Sequence, residues 1–414
     1  MKPLKIVGIF SVSLLIIAGI YSGMANVNIV RFPWASPVNP DIPGLNDPLN
    51  DFALRLYKEL CCKTNGSVFF SPYSIYVALA MVYEGARGST AEEMSHLLGY
   101  QQGNTTMLST LYTLWQMYNN NTAFNLSTAN ALWLKNNFQL LDEYIEDMTT
   151  YFAGRVSEVD FSNPVEAAKI INDWVEQQTN NNIKNLVPPN AITDLTRLIL
   201  TNAIYFKGTW KYLFDKNLTV NTTFTVSSTQ MVQVPMMTLI GTEYLFNYTE
   251  TETVQVLELS YVGDDVVMII ILPKDGDLAR VEQGLTGEQL HEWTRAMNQT
   301  VIDISVPKFK LETSYELNEY LEDMGMVHAF KNADFSGITG NPDLFISHVF
   351  HKAFIEVNEE GTEAAAATAI VMDRCSLIEP QRLVFNADHP FLFVIQHKGT
   401  SNILFMGKIV NPMG

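Results

Sequence analysis

The sequence predicts an α+β fold, with helices in the first half of the chain and strands in the second. Apolar residues recur at helical spacing up to about residue 180, whereas short runs of β-branched and aromatic residues follow from residue 198 onward. The two kinds of segment do not alternate, which argues for antiparallel or mixed β-sheets rather than a doubly wound parallel sheet. No repeat, low-complexity tract or linker interrupts residues 49–414, so we expect this range to form one domain.

The composition excludes several classes of protein. Of the 414 residues, 47% are hydrophobic and 17% are charged, which excludes a disordered chain and allows a large core. The 44 acidic and 26 basic residues give a net charge of −18, which is unsuited to sequence-independent binding of nucleic acid. Three cysteines are too few for a small disulfide-stabilised scaffold.

The first 25 residues have the pattern of a secretory signal peptide. Two lysines precede the apolar run Ile6–Ile20, and Gly23 and Ala25 supply the small residues of a cleavage site. A membrane anchor is the alternative, but the run is shorter than the roughly 20 residues that span a bilayer. We therefore expect a secreted, extracellular protein that has no membrane segment once residues 1–25 are removed.

Glycosylation of a secreted chain uses Asn-x-Ser/Thr sequons, of which this sequence has eight. They begin at Asn65, Asn104, Asn120, Asn125, Asn217, Asn221, Asn247 and Asn298. A single match is weak evidence. Eight matches behind a signal peptide predict that some of these asparagines carry glycans.

Four helices are predicted in the first half of the chain, after a proline-rich, irregular arm at residues 26–48. Their starts are Leu49, Pro72 with Ser71 as its N-cap, Ser89 or Thr90, and Pro164. The second helix is apolar on every side over Ile75–Tyr83 and should be buried. Cys61 and Cys62 lie in the first helix, where core packing is the favoured role of both; pairing of either with Cys375 is the alternative.

Strands are predicted through the second half of the chain. They cover Leu198–Phe206, Val254–Leu259, Val266–Leu272, Val301–Val306, Val349–Val357, Phe391–Ile395 and Ile403–Ile409. Gly263-Asp264-Asp265, between the second and third of these strands, is typical of a hairpin turn.

Motifs of the common enzyme classes are absent from the sequence. It contains no Gly-x-Ser-x-Gly elbow, phosphate-binding loop, His-Glu-x-x-His or Cys-x-x-Cys, so we expect no enzymatic activity, cofactor or metal. His348 and His351 lie three apart on a predicted strand and so face opposite sides, which disfavours a shared ion. Asp388-His389 could belong to a catalytic triad, but its position between a strand and Pro390 favours a loop role.

Residues 359–372 suit two different structures. Their alanines favour a short exposed helix by propensity. With a period of two, however, one face carries only uncharged residues: Thr362, Ala364, Ala366, Thr368, Ile370 and Met372. The opposite face is charged only at its ends: Glu363, Ala365, Ala367, Ala369, Val371 and Asp373. This alternation fits a strand inserted into a sheet with its charged ends toward solvent, so the segment could be an exposed loop or an inserted strand.

The chain resembles the serpin family from about residue 46 to its end. The motifs that carry the resemblance, in the family's order, are Asn65–Thr90 for the second helix, Thr201–Trp210 for the central strand, 359–369 for the hinge of the reactive loop, and Asn386–Phe393 and Leu404–Lys408 for the C-terminal strands. Among serpins, the hinge is most similar to that of inhibitors of the leukocyte-elastase-inhibitor type.

The resemblance implies a serpin fold, in which helices pack around mixed or antiparallel β-sheets and a reactive loop is exposed. It also implies a suicide inhibitor. The serine of a target protease attacks the loop and forms an acyl-enzyme, and the cleaved loop then inserts into the main sheet of a metastable fold and drags the protease with it. A monomer is expected, with a serine protease as its partner. The alternative is a non-inhibitory carrier or chaperone, which Thr362 and the alanine run disfavour.

The resemblance also assigns roles to residues. The hinge would comprise Gly361, Thr362, Glu363, Ala364, Ala365, Ala366 and Ala367. A polar cluster that governs opening of the sheet would comprise Ser71, Ser74, Asn202 and His351. Trp210, Lys308 and Glu359 would lie where the loop enters the sheet, with the last two paired near the surface. Residues 101–120, where heparin-binding relatives carry basic side chains, contain no lysine or arginine, which argues against activation by heparin.

The bond that the protease cleaves follows from counting along the loop. In inhibitory relatives the hinge glycine is usually the fifteenth residue before this bond, which places it at Cys375–Ser376 when the count starts from Gly361. A slip of one residue would place it at Arg374–Cys375 instead. Cysteine suits elastase-like or chymotrypsin-like pockets, whereas arginine suits trypsin-like pockets.

Overall fold

The computed structural model describes residues 46–121, 123–152, 154–241, 244–362 and 382–414. The predicted signal peptide, nearly all of the predicted arm, Cys375 and both candidate cleavage bonds lie outside these ranges. So do hinge residues 363–367.

In the described chain, six helices and only three strands precede residue 180, and each of the four later helices has ten residues or fewer. The α-helices are α1 (Asn46–Lys63), α2 (Pro72–Tyr83), α3 (Gly88–Leu98), α4 (Thr105–Asn119), α5 (Asp142–Asp147), α6 (Pro164–Gln178), α7 (Leu278–Gly284), α8 (Gly287–Ala296), α9 (Asn318–Asp323) and α10 (Ser336–Thr339). A π-helical turn covers Met148–Phe152, and 3₁₀ turns cover Pro189–Ala191 and Lys216–Leu218.

The four predicted helices are α1, α2, α3 and α6, and their starts can be checked against the caps. At α2 the hydroxyl of Ser71 accepts a hydrogen bond from the Ser74 backbone N–H, and every residue of the helix is buried, as predicted. α1 begins at Asn46, so the last residues of the predicted arm are helical. The predicted start of α3 is wrong, because the helix begins at Gly88 and the Thr90 hydroxyl accepts instead from the distant Asp334 N–H.

The strands include all seven that the sequence predicts. Their bounds are β1 (Val68–Phe70), β2 (Phe124–Lys135), β3 (Arg155–Val159), β4 (Leu198–Thr209), β5 (Val220–Ser227), β6 (Gln230–Leu239), β7 (Phe246–Glu250), β8 (Val254–Ser260), β9 (Val266–Pro273), β10 (Asn298–Thr300), β11 (Ile302–Pro307), β12 (Phe309–Glu316), β13 (Ile346–Asn358), β14 (Gly361–Thr362), β15 (Leu383–Asn386), β16 (Phe391–His397) and β17 (Ile403–Ile409). The predicted hairpin is β8–β9, which pair antiparallel with Gly263 at a φ of +93° between them.

Three sheets are formed by the described strands. The main sheet has the order β12-β13-β14-β4-β2-β3, in which β13 and β4 also pair directly with each other and run parallel. A second sheet has the order β1-β17-β16-β9-β8-β7-β10, and a third has the order β15-β11-β6-β5. This mixture of parallel and antiparallel pairs confirms the predicted α+β class.

Alternate residues of the central strand β4 serve two cores on opposite faces of the main sheet. Leu200, Ile204 and Phe206 belong to the large core, which α1, α2 and the second sheet also line. Ile199 and Ala203 belong to a smaller core, to which α6 contributes. Since β4 is covered on both sides, it reads as a nearly continuous apolar run, as a central buried strand should. No described helix is both long and apolar enough to cross a membrane.

Candidate functional site

A two-residue strand, β14, lies between β13 and β4 at one end of the main sheet. Thr362 pairs with Val357 on one side and Gly208 on the other, and Gly361 pairs with Asn358 and Thr209. Thr362 is fully buried. The first two residues of the predicted hinge are therefore already part of the sheet, whereas 363–367 lie beyond the described residues.

Residues 358–361, here called the hinge turn, are fastened by backbone hydrogen bonds. The Trp210 backbone N–H donates to the Glu360 carbonyl (2.9 Å), and its indole Nε1–H donates to the Asn358 carbonyl (2.9 Å). The Phe214 N–H donates to the carbonyl of Glu359 (3.0 Å). Trp210 thus lies beside the point at which residues 358–361 join the sheet.

The carboxylate of Glu359 is buried and paired. Lys308 Nζ lies 2.9 Å from its Oε2, and the Thr219 hydroxyl donates to its Oε1 (2.9 Å). Burial by itself would raise the pKa of Glu359, but the bonds from Lys308 and Thr219 hold it below the ordinary value. The predicted pair therefore exists. Its predicted surface position is wrong for Glu359, whose side chain is 6% exposed, and right only for Lys308, at 37%.

A second lysine pairs with the hinge turn, and the sequence analysis did not find it. Lys216 forms an ion pair with Glu360, whose side chain is also buried. Glu360 Oε2 has no hydrogen-bond partner among the described residues. No sequence pattern indicates that Lys216 pairs with Glu360, because the two residues are separated by 144 positions.

The predicted polar cluster assembles under the middle of the main sheet. Asn202 on β4 and His351 on β13 lie opposite each other in the parallel pairing, and their side chains hydrogen-bond (2.5 Å). The Ser71 N–H donates to His351 Nε2 (3.2 Å), so the Nδ1–H of that ring donates to Asn202 Oδ1. Asn202 Nδ2 in turn donates to the Ser74 hydroxyl (2.5 Å).

Asn130 on β2 is a member of this cluster that the sequence analysis missed. Its Oδ1 accepts hydrogen bonds from the Ser74 hydroxyl (3.2 Å) and from Asn202 Nδ2. We use "polar cluster" below for Ser71, Ser74, Asn130, Asn202 and His351. Burial lowers the pKa of His351 to about 3, although its bond with Asn202 opposes the shift, so the imidazole is neutral and the whole cluster is uncharged.

Other candidates are not brought to this site. His348 contacts Glu316 (2.7 Å) rather than His351, and no metal-binding group of His, Cys, Asp and Glu exists among the described residues. The ring of His389 lies between Asp388 Oδ1 (2.8 Å) and the carbonyl of Pro273 (2.6 Å). The nitrogen of His389 that would have to contact a nucleophile is therefore bound to a backbone carbonyl, which agrees with a loop role.

The two described cysteines differ in exposure. Cys61 is half-buried and packs against the large core, with its thiol 3.5 Å from Glu282 Oε1. Cys62 is exposed, so its predicted packing in the core is wrong. On a helix, adjacent positions are about 100° apart, and α1 buries only one face.

The sequons lie mainly at the surface. The asparagine is exposed in seven of them: Asn65, Asn104, Asn120, Asn125, Asn217, Asn221 and Asn298. Asn247 is half-buried, and its amide nitrogen donates to the buried Glu258 carboxylate (2.8 Å).

The main sheet already holds two residues of the hinge segment between β13 and β4. A family model described as "Serpin (serine protease inhibitor)" matches residues 47–412. The serpin-like protein TK1782 of Thermococcus kodakarensis is 43% identical over 88% of this chain and 85% of its own. The chain belongs to the serpin family.

Solved structures show the same fold. Serpin48 of the insect Tenebrio molitor is 33% identical with a TM-score of 0.81, and the match covers 89% of this chain and 98% of that one. Human thyroxine-binding globulin, solved with thyroxine, is 31% identical with a TM-score of 0.83, covering 90% of this chain and all of the other. The family model's description gives protease inhibition as the general activity, but the structural neighbours of this chain include a thyroxine-binding globulin.

Proposed function

We propose that the protein is a suicide inhibitor of a serine protease that traps its target by inserting its cleaved loop into the main sheet. The observation that carries this proposal is the position of β14. Its two residues already lie between β13 and β4, in antiparallel register with both. Each residue added to this strand would move one position back along both neighbours.

That register has a definite consequence for the polar cluster. Thr368 lies six positions after Thr362, so it would face residue 208 − 6 = 202 on β4 and residue 357 − 6 = 351 on β13. These are Asn202 and His351. Because Thr362 and Thr368 share one face in a period of two, the Thr368 hydroxyl would arrive at the polar cluster. It would take the place of the hydrogen bond that joins the two strands in the closed sheet.

The same register limits the length of the inserted strand. β4 begins at Leu198, which would face residue 362 + 10 = 372, so Met372 is the last residue that both neighbours could pair. Ten added residues span about 33 Å at ~3.3 Å each. The uncharged face predicted from the sequence also ends at Met372. Both candidate cleavage bonds lie beyond that residue, so a protease bound there would be carried along the whole sheet.

The chemical step would be ordinary acyl transfer that stops halfway. The protease serine would form an ester with the carbonyl of Cys375 or Arg374, and the amine of the following residue would leave with a proton. Insertion would then displace the acyl-enzyme before water can attack the ester. Cleavage at Cys375–Ser376 would indicate an elastase-like or chymotrypsin-like target, and cleavage at Arg374–Cys375 a trypsin-like one.

The test is incubation of the protein with a panel of serine proteases followed by denaturing electrophoresis. We expect a covalent complex that survives heating. We also expect a released C-terminal peptide, whose mass shows whether it begins at Ser376 or at Cys375. Thr362→Ser is a matched control that should still form the complex. Complete cleavage without any covalent band, for every protease in the panel, would refute the proposal.

We also propose that the protein is secreted after removal of residues 1–25 and that glycans attach to exposed sequons but not to Asn247. The hydrogen bond from Asn247 to buried Glu258 supports its exclusion, because a glycan on this nitrogen would displace that bond. N-terminal sequencing and mass spectrometry of protein secreted from a eukaryotic host test both points. A mature chain that retains residue 1, or a glycan on Asn247, would contradict them.

A carrier function is the second candidate, and one cavity favours it. The cavity has a volume of about 550 Å³ and is lined by α1, α8 and the β16–β17 hairpin, including Asn50, Leu290, Thr294 and Ile403. This volume falls in the usual range of ligand sites. Since a thyroxine-binding protein is among the structural neighbours, thyroxine is a suitable probe. Saturable quenching of tryptophan fluorescence that Thr294→Phe abolishes would support a carrier, and the absence of saturation would reject it.

A further inference from the structure

The hydroxyl of Thr362 has a specific partner in the sheet. It lies 2.7 Å from the hydroxyl of Tyr261, which follows directly after β8, and both side chains are fully buried. The ring of Tyr261 stacks on Trp210 with centroids 4.4 Å apart and meets Phe206 edge to face at 5.1 Å. These two aromatic contacts therefore fix the position of the Tyr261 ring beside Thr362.

Two glycines make this approach possible. A Cβ at Gly208 would lie 2.7 Å from a ring carbon of Tyr261, and a Cβ at Gly361 would lie 2.0 Å from the Gly208 carbonyl oxygen. Any side chain at Gly208 would push the ring away from Thr362, and any side chain at Gly361 would push β14 out of the sheet. The strand and the ring thus share a space that two glycines leave open.

The tyrosine hydroxyl also needs a partner at this depth. Burial raises the pKa of Tyr261 far above its ordinary value, so the group keeps its proton. A buried hydroxyl without a hydrogen bond is unfavourable. Among the described residues, Thr362 is the only hydrogen-bond partner of this hydroxyl. Removing the hinge from the sheet would therefore leave a buried polar group unsatisfied.

We propose that Tyr261 is a positioning residue that holds Thr362 in the first rung of the main sheet before any cleavage, so that loop insertion starts from a seated strand. The inference rests on the proposed inhibitory function. Tyr261 makes no contact with the protease in this proposal; it acts through Thr362 alone. It differs in this respect from the lysines at the hinge turn, which bind carboxylates outside the sheet.

The experiment is a double-mutant cycle with Tyr261→Phe, which keeps the ring, and Thr362→Val, which keeps the shape. Thr362→Ser restores the hydroxyl, and Tyr144→Phe is a control because that buried tyrosine donates to Met81 far from the hinge. Hydrogen exchange of the peptide covering residues 358–362 is measured on uncleaved protein. We expect exchange about fivefold faster in either single variant, no further increase in the double variant, and wild-type exchange for Thr362→Ser.

The second measurement is the number of inhibitor molecules consumed per protease trapped. Tyr261→Phe and Thr362→Val should each raise the number of inhibitor molecules consumed per trapped protease, and by similar factors. Tyr144→Phe should lower thermal stability without raising this number. Additive effects in the cycle, or equal exchange in Tyr261→Phe and the control, would overturn the proposal. If the wild-type protein traps no protease at all, the proposed function fails, while the exchange measurement still decides whether Tyr261 seats the hinge.

Discussion

The hinge turn and the polar cluster are held in place by different kinds of contact. At the hinge turn, charged lysines with partly or largely exposed side chains pair with Glu359 and Glu360, whose carboxylates are buried. At the polar cluster, six residues back along β4 and β13 from the partners of Thr362, buried neutral groups join Asn202 to His351. The sheet is therefore held by ionic contacts where insertion would begin and by neutral hydrogen bonds where the strand would have to pass.

The largest effect that we expect comes from Thr362→Arg. The side chain at this position is fully buried and faces Tyr261, so a guanidinium there would be a buried, unpaired charge that costs about 3–5 kcal/mol. The variant should be cleaved as a substrate without trapping its protease, as gel electrophoresis would show. An unchanged ratio of trapped to cleaved molecules would mean that this face of the loop does not enter the core.

Glu359→Lys should have the next largest effect. It removes the buried acceptor of Lys308 and Thr219 and sets two positive charges side by side, at a cost of about 1–3 kcal/mol. We expect this variant to polymerise faster than the wild-type protein on mild heating, as measured by native electrophoresis. Glu356→Lys is the matched control, because Glu356 lies on β13 three residues before Glu359, is 39% exposed, and lies 3.8 Å from its own lysine, Lys310. Equal rates for the two variants would contradict a locking role of Glu359.

The polar cluster should give the protein an acid-sensitive limb of stability. The pKa of His351 is lowered from 6.5 to about 3 in the folded state, so the unfolded state binds the proton more readily as the pH falls. Stability is therefore complete above pH 6.5 and declines below it, by about 2 kcal/mol at pH 5. Thermal unfolding measured against pH tests this. His351→Gln should flatten the limb.

Lys216→Ala should have the smallest effect of the four. Its side chain is 64% exposed and Lys308 is 37% exposed, so solvent screens the pair with Glu360 more strongly. We expect Lys216→Ala to polymerise more slowly than Lys308→Ala in the same heating assay. The opposite order would show that Glu360, rather than Glu359, carries the lock at the hinge turn.

Much of the fold could be predicted from local patterns. The seven strands and the buried helix α2 were predictable because their apolar runs are bounded by turn and capping residues. β2 could not be predicted in the same way, although it lies next to β4 in the main sheet. Its sequence mixes Asn125, Ser127 and Asn130 with apolar residues, since one part faces solvent and another the polar cluster.

The residues of the candidate site also divide into those that local patterns predict and those that they do not. The period of two through residues 362–372 and the family motifs are local properties, so the hinge, its two faces, and expected roles for Trp210, Lys308 and Glu359 could be predicted from the chain alone. The other groups of the site could be found only from the folded protein. Asn130, Lys216 and Tyr261 reach their partners across 56, 144 and 101 positions of sequence. Pairings at such separations depend on strand order and register, which arise when the whole sheet forms and leave no periodic signal along the chain.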